Sequence, residues 1–468
     1  MAIIGTIAMK RPTPPPASAA NRTGTGYDRL LDANHSDTLA DAGNRFFGWR
    51  VVAAAFTVAV FGWGLGFYGP PVYLEVVRQS RGWPIALVSG AVTLHFLVGL
   101  AIIPNLPNLY RRLGVPIVTF AGGIVMALGV LGWAVATAPW QLYVAALLSG
   151  AGWSALGAVA VNAIVSPWFA AKRPQALGVA FNGGSVGGVI FSPFWVALID
   201  RIGFTSAAVV VGVAMLVTLG TLAALVLGRT PEDLGQTLDG AKAGSTSASA
   251  PIIPDAGTPT VRLHLFHDRA FLTLCIGMTL ALFAQTGIVA HLVSVLAPTL
   301  GRQGAGLTAG AVGVAAVVGR LAVGSSADGK SNWRAIASFS LVVQALGCGV
   351  LVLAHGSSPA LLILGAVLFG LGVGNAISVP PVIANLEFPR EDAARAVALI
   401  VAISQGAYAM APAIFGLLRQ LWSDEIIFLT AVAIQLAAIA AYLTGRGAGA
   451  LRNDREGLRR PSTRRPSL

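Results

Sequence analysis

Long apolar runs alternate with short polar breaks along almost the whole chain. Twelve of the runs are long enough to cross a bilayer, which takes about 20 mostly apolar residues per helix. They occupy 51–77, 84–106, 115–137, 140–166, 176–198 and 204–228 in the first half, and 270–298, 305–327, 333–355, 359–384, 393–420 and 424–444 in the second. Such runs must form helices, because an open strand in lipid leaves backbone N–H and C=O groups without partners. The pattern therefore predicts an all-α membrane protein: twelve transmembrane helices in two pseudo-symmetric six-helix bundles, 48–228 and 270–444.

The polar segments punctuate this plan. Residues 1–47 read as a disordered tail, with Pro, Ser, Thr, Asn and Gly dominating 12–44. The first apolar run, Met1 to Met9, is short, and Lys10 and Arg11 follow it, so it is not a secretory signal. Residues 229–269 form a central loop. Its opening, Thr230-Pro231-Glu232-Asp233, places a capping Thr, a Pro and first-turn acids where a short surface helix would begin. The GSTSASAP stretch beyond it reads as a flexible linker, and 445–468 is a basic tail.

Composition agrees with a membrane protein. Hydrophobic residues make up 55% and charged residues only 11%, against about 25% charged in soluble domains. The 56 glycines suit helices that approach closely in lipid. A net charge of +12 invites a nucleic-acid reading, but the basic residues lie in loops and tails rather than on one soluble face. They act instead as an orientation signal. Arg111, Arg112, Lys172, Arg173, Lys330, Arg334, Arg390 and Arg395 fall on one side, Arg78, Arg81, Arg201, Arg302 and Arg419 on the other. Both termini are therefore expected in the cytoplasm. A Gly- and Ala-rich chain with a Pro-Glu-Asp loop suggests a bacterial inner membrane.

The halves echo one another. GAGWSALGAV at 150–159 aligns with GLGVGNAISV at 370–379, and SPFWVALI at 192–199 with APAIFGLL at 411–418. Duplication of this kind is typical of transporters that rock two bundles about a central site.

Arg320 is the most informative side chain. It lies within the eighth span, about 10 Å from its inner boundary at 1.5 Å per residue. Intramembrane charge is costly and usually functional. Glu75, Asp200, Asp328, Glu387 and Asp424 all sit at span ends or in loops, so no acid stands at the same depth. A carboxylate solute would supply the missing partner. His95 and His291 are the histidines within spans and are candidates for proton coupling, set against a purely hydrogen-bonding role between helices. Tyr68, Asn162, Asn182, Gln285, Asn375 and Gln405 are expected to point inward, as candidates for lining the solute path. Tyr68 falls where Gly66, Gly69, Pro70 and Pro71 loosen the first span. Cys275 and Cys348 belong to no metal-ligand pattern, and there is no ATP loop, HExxH pair or nucleophile elbow. No cofactor, metal or catalytic reaction is expected.

These motifs carry a resemblance. Gly48-Trp49-Arg50-Val51-Val52, the FGWGLGFYGPPVY end of the first span, WFAAKRPQALGVAFNGGSVGG at 168–188 and Pro231-Glu232-Asp233-Leu234-Gly235 are similar to the major facilitator superfamily, in the branch of monocarboxylate porters and oxalate:formate exchangers. The resemblance covers 48 to 444. It implies a charge network at the inner helix ends, of which Arg112, Gly114, Gly324 and Asp328 survive, with Arg111 where the family has an acid. It also implies a solute-binding Arg in the eighth span, matched by Arg320. The family's acid one turn earlier is replaced by Ala316, and the exchangers' Lys in the eleventh span is missing. One fixed cation favours a monoanion.

The expectation is a monomeric secondary transporter in the lipid bilayer. It would move a small organic anion, a monocarboxylate above others, by alternating access, with proton coupling an open option. A neutral metabolite or drug-like solute is the alternative. A membrane enzyme or sensor is a third class, disfavoured by the sparseness of titratable groups in the spans.

Overall fold

The computed structural model describes residues 46–240, 263–326 and 331–445, and those from Phe47 onward belong to one compact unit. They are helical almost throughout. The spans are α1 (Gly48–Arg81), α2 (Ile85–Leu113), α3 (Val115–Val135), α4 (Pro139–Trp168), α5 (Arg173–Ile202), α6 (Phe204–Leu227), α9 (Trp333–Leu353), α10 (Pro359–Glu387), α11 (Arg395–Leu421) and α12 (Ile426–Thr444). Between α6 and α9 lies one continuous helical element, Arg269–Ser326. A straight helix of that length would reach roughly 87 Å at 1.5 Å per residue, almost three times a hydrocarbon core of about 30 Å. It is broken at Gly301, whose φ of 70° and ψ of 165° are not helical and suit a residue without a side chain. The two parts are α7 (269–300) and α8 (302–326). Eleven long apolar elements thus make twelve spans.

Several spans are interrupted. α1 breaks at Phe67 and Tyr68, before the Gly69-Pro70-Pro71 turn that restarts it. α4 breaks at Gly157, and α11 at Ala409 and Met410. Large apolar side chains such as Val217, Phe339, Leu346 and Leu353 are exposed, as a lipid-facing belt requires.

The halves meet along two seams, α5 with α8 and α2 with α11. Contact runs to the end of the bundle that carries Arg81, Arg201 and Arg302, the far end. There Ala413 N–H donates to Thr93 Oγ1 (2.9 Å), Ala86 N–H donates to Gln420 Oε1 (3.2 Å), and Arg302 pairs with Asp200 (3.0 Å). On the α5–α8 seam, Gly306 and Gly310 pack on Ser192 to Val196, and Gly313 on Val189. The same helical stripe continues through Arg320 to Gly324, and on α5 through Ser185 to Gly178. Past Arg320 and Ser185 the helices part: a Cβ built on Gly324 or Gly178 would meet open space. The recorded polar contacts between the halves thus cluster at the far end, while Gly178 and Gly324 have open space beside them toward the end carrying Arg111, Arg112 and Lys172, the basic end.

The expected surface helix after α6 is a single 3-10 turn, Glu232–Leu234. The capping logic holds: Thr230 N–H donates to Asp233 Oδ2 (3.0 Å) and Asp233 N–H to Thr230 Oγ1 (3.3 Å). Further on, the Asp239 carboxylate accepts the N–H groups of Ala170, Ala171 (2.7 Å) and Lys172 (3.1 Å), strapping the loop to the start of α5. The GSTSASAP linker and both tails lie outside the described residues.

Candidate functional site

Arg320 sits where the two halves separate. It can approach α10 closely because Gly374 has no side chain; a Cβ there would collide with the Ala316 backbone and crowd Arg320. Its Nε donates to the Gly374 carbonyl oxygen at 3.3 Å and its Nη1 to Ser185 Oγ on α5 at 3.4 Å. Both contacts are long for a charged donor, whose bonds to oxygen usually fall near 2.7–2.9 Å. Most of the guanidinium N–H groups are left unspent. Among the described residues no carboxylate pairs with it.

Toward the far end from Arg320 is a narrow slot of about 20 Å³, room for little more than one water. It is lined by Tyr68 and Phe67 of α1, Ser192 of α5, Val289, Leu292 and Val293 of α7, Ala309, Val312 and Gly313 of α8, and Val373 of α10. Helical side chains lean toward the N-terminus of their own helix. On α8 that direction leads from Arg320 toward the slot. Tyr68, whose ring covers Gly188, lies within electrostatic reach of Arg320, and its hydroxyl makes no hydrogen bond among the described residues.

The other expected lining residues are dispersed. Asn182 is exposed one turn from Ser185, on the face of α5 that looks into the opening. Asn162 donates to Ala158 O of its own helix (2.9 Å). Asn375 is buried, and its Nδ2 donates to Ser340 Oγ (3.1 Å) and lies 3.5 Å from Gly319 O, joining α10 to α9 and α8. Gln405 sits against Gly99, on the α2–α11 seam. Gln285 is buried with its Oε1 unpartnered among the described residues.

Both span histidines are fully buried and away from the slot lining. His95 Nε2 donates to Gly66 O (2.8 Å), and its Nδ1 faces Ser149 Oγ (2.8 Å), which also receives Trp133 Nε1–H (3.1 Å). This ties α2 and α4 to the break in α1. His291 Nε2 donates to Pro412 O (3.0 Å), while Nδ1 accepts from Arg419 Nη1 (3.2 Å). A guanidinium can only donate, so His291 is specified as the neutral Nε2–H tautomer.

The inner network expected from Arg112, Gly114, Gly324 and Asp328 is only partly in view. Arg112 is exposed, Gly114 forms the α2–α3 turn with φ of 82°, Gly324 faces the opening, and Asp328 lies outside the described residues. Two charge clusters are instead visible that the sequence reading missed. Arg334, expected in a loop, is buried at 3% exposure and pairs doubly with Glu387 (2.6 and 2.7 Å), with further bonds to Thr273, Ala270 O and Tyr442 O. Arg419, expected among the basic residues of the opposite side, is buried between His291, Ser294 and Asp424 (2.9 Å). Arg320 is thus not the lone buried cation. It differs from these two in having no acid beside it among the described residues. The signal for both was available: each stands at the end of an apolar run with an acid at the end of a neighbouring one.

The helices, the interrupted spans and the central cation define a polytopic transporter-type fold. The sequence profile of the Major Facilitator Superfamily matches residues 52–338, and the chain belongs to that family. It is an integral membrane protein that resembles the monocarboxylate-transporter branch. Mouse monocarboxylate transporter 11 is 28% identical over 316 residues, covering 66% of this chain and 65% of that relative, just under two thirds of its length. The MFS transporter asaE of Aspergillus flavus is 25% identical, covering 80% of this chain and 81% of that one. Among solved structures, the nucleoside transporter NupG superposes with a TM-score of 0.66 at 13% identity, over 86% of this chain and 99% of the other. At that identity the likeness shows the fold alone.

Proposed function

We propose that this chain is a secondary transporter of a small organic anion, held through its carboxylate by Arg320 as the two bundles alternate. The observation that carries the reading is the guanidinium itself: partly buried at the seam of the halves, loosely held, and without an acidic partner among the described residues. A buried cation without a counter-ion is costly, and a carboxylate arriving through the open basic end would offset that cost with two charge-assisted bonds. Ser185 and Gly374 then act as temporary acceptors that the solute displaces.

Alternating access follows from the seams. Solute bound at Arg320 touches α5, α8 and α10, so it bridges both bundles. Closing the basic end would bring the Gly178 and Gly324 ends of α5 and α8 together, while the Arg302–Asp200 pair and the Thr93 and Gln420 contacts part at the far end. The positive-inside pattern supports placing the basic end in the cytoplasm. Asn182 and Tyr68 are the polar residues best placed beside the solute. Asn375 and Gln405 serve helix packing on this reading, Asn162 is satisfied within its own helix, and His95 and His291 serve as ties between helices, since both ring nitrogens of each are engaged. The site is complete within one chain, which supports a monomeric unit.

The test is uptake of a labelled monocarboxylate into proteoliposomes. Arg320→Ala is expected to reduce uptake by about 100-fold or more, in line with loss of a partner for a buried charge. Wild-type rates in the Arg320→Ala protein would reject the assignment.

A further inference from the structure

The two halves put one helix crossing to different use. In the first half, Gly150 and Gly152 of α4 press on α2 at His95 and on α3 at Met126. In the second, their counterparts Gly370 and Gly372 of α10 press on α8 at Val312 and on α9 at Ser340. The repeats therefore match in contacts as well as in sequence. They differ two and three residues further on. Ser154 turns its hydroxyl back to Gly150 O of its own helix (2.9 Å), and Ala155 packs on Gly122 of α3. At the same places α10 has Gly374, bare against Ala316 and Arg320, and Asn375, whose Nδ2 donates to Ser340 Oγ at 3.1 Å. The second half thus has a polar link, beside the cation, where the first has an apolar contact.

Packing alone does not call for that difference, since Gly122 and Ala155 close the equivalent crossing without a polar side chain. Asn375 is buried, and its Oδ1 has no partner among the described residues, which is a cost. What it gives in return is position. Gly374 O accepts from Arg320 Nε, so the residue before Asn375 meets the guanidinium directly. Asn375 Nδ2 also lies 3.5 Å from the carbonyl oxygen of Gly319, the residue before Arg320. Beyond it, Pro380 and Pro381 remove two backbone donors from α10 on the way to the basic end, where the helix is freer to bend. We propose that Asn375 is a positioning residue for Arg320. Its link to α9 fixes the rotation of α10 that keeps Gly374 bare against Arg320 and the Gly374 carbonyl turned to the guanidinium. This rests on the anion reading given above and deepens it.

The experiment is a double-mutant cycle read by equilibrium titration. The probes are lactate and 3-phenylpropionate, each beside its neutral amide. The proteins are wild type, Asn375→Ala, Arg320→Gln and the two substitutions combined. Asn375→Ala is expected to weaken binding of the acids about tenfold, within the coupling that neighbours in one network show, with the amides unchanged. In the Arg320→Gln background the same substitution is expected to change nothing further. Equal weakening of acid and amide, an unchanged acid affinity, or a loss that persists without Arg320 would overturn the positioning role and leave the anion reading standing. Acids that bind wild type no better than their amides would overturn the anion reading itself. If Asn375→Ala fails to fold, the pair Asn375→Ala with Ser340→Gly rebuilds the contact of the first half and carries the same comparison.

Discussion

Arg320 of α8 and Ser185 of α5 meet across the α5–α8 seam, at 3.4 Å between Nη1 and Oγ. On one side of this contact lies packed glycine and valine, on the other open space at Gly178 and Gly324. A cation at the point of divergence meets solute entering from the open end and holds both bundles at once.

If Ser185 only occupies a position that a solute oxygen later takes, its removal matters little and a fixed acid there matters greatly. Ser185→Ala is expected to change uptake by no more than about fivefold, the range of one ordinary hydrogen bond. Ser185→Asp would give Arg320 an internal counter-ion and is expected to abolish uptake while the protein stays folded. Uptake assays with size-exclusion profiles of both variants check this.

The opening at the basic end is accessible to chemistry. Asn182→Cys and Gly324→Cys are expected to react with a membrane-impermeant thiol reagent applied from the basic side, and Thr93→Cys, packed in the far-end seam, to stay unlabelled. Both native cysteines are buried, so the background is low. Faster labelling of Thr93→Cys than of Asn182→Cys would reverse the assigned open end.

The Arg302–Asp200 pair closes the far end but is partly exposed on both sides. An exposed pair is worth about 1 kcal/mol or less. Asp200→Arg is therefore expected to raise far-side labelling of a Ser192→Cys reporter by about fivefold at most. The double exchange Asp200→Arg with Arg302→Asp is expected to restore the original rate.

Arg334 joins α9 to α7, α10 and α12. Its removal leaves Glu387 and three further acceptors, Thr273, Ala270 O and Tyr442 O, without this donor. Arg334→Ala is expected to cost about 3 kcal/mol, the low end for breaking a buried pair because Glu387 keeps some contact with water. A lowered unfolding temperature in detergent, with the preference for acid over amide unchanged, identifies it as a structural residue.

Much of this fold is legible in the sequence because lipid leaves so few options. Run length and the loss of water as a backbone partner set twelve spans before any motif is considered. Gly66, Gly69, Pro70 and Pro71 announced the break that positions Tyr68. The Thr230–Asp233 cap was readable too, although the helix it starts is one turn long. Side-chain partnerships were less legible. Asn375 and Gln405 are polar within apolar runs, which says that they face protein, yet the choice between a cavity and a neighbouring helix depends on rotation about each axis. Arg334 and Arg419 stand at the ends of apolar runs with Glu387 and Asp424 at the ends of neighbouring ones, a readable hint of pairing, but that each arginine is buried depends on how the helices pack. The slot escaped for the same reason: valine, leucine and glycine on five helices form a compartment only in three dimensions.

The central claim is that Arg320 recognises a carboxylate. Equilibrium titration of purified protein with 3-phenylpropionate and with its amide, in wild type and in Arg320→Gln, addresses it directly. Preference for the acid by wild type, lost in Arg320→Gln through weaker acid binding with the amide unaffected, is the expected result. Equal affinity of the acid for both proteins would contradict it.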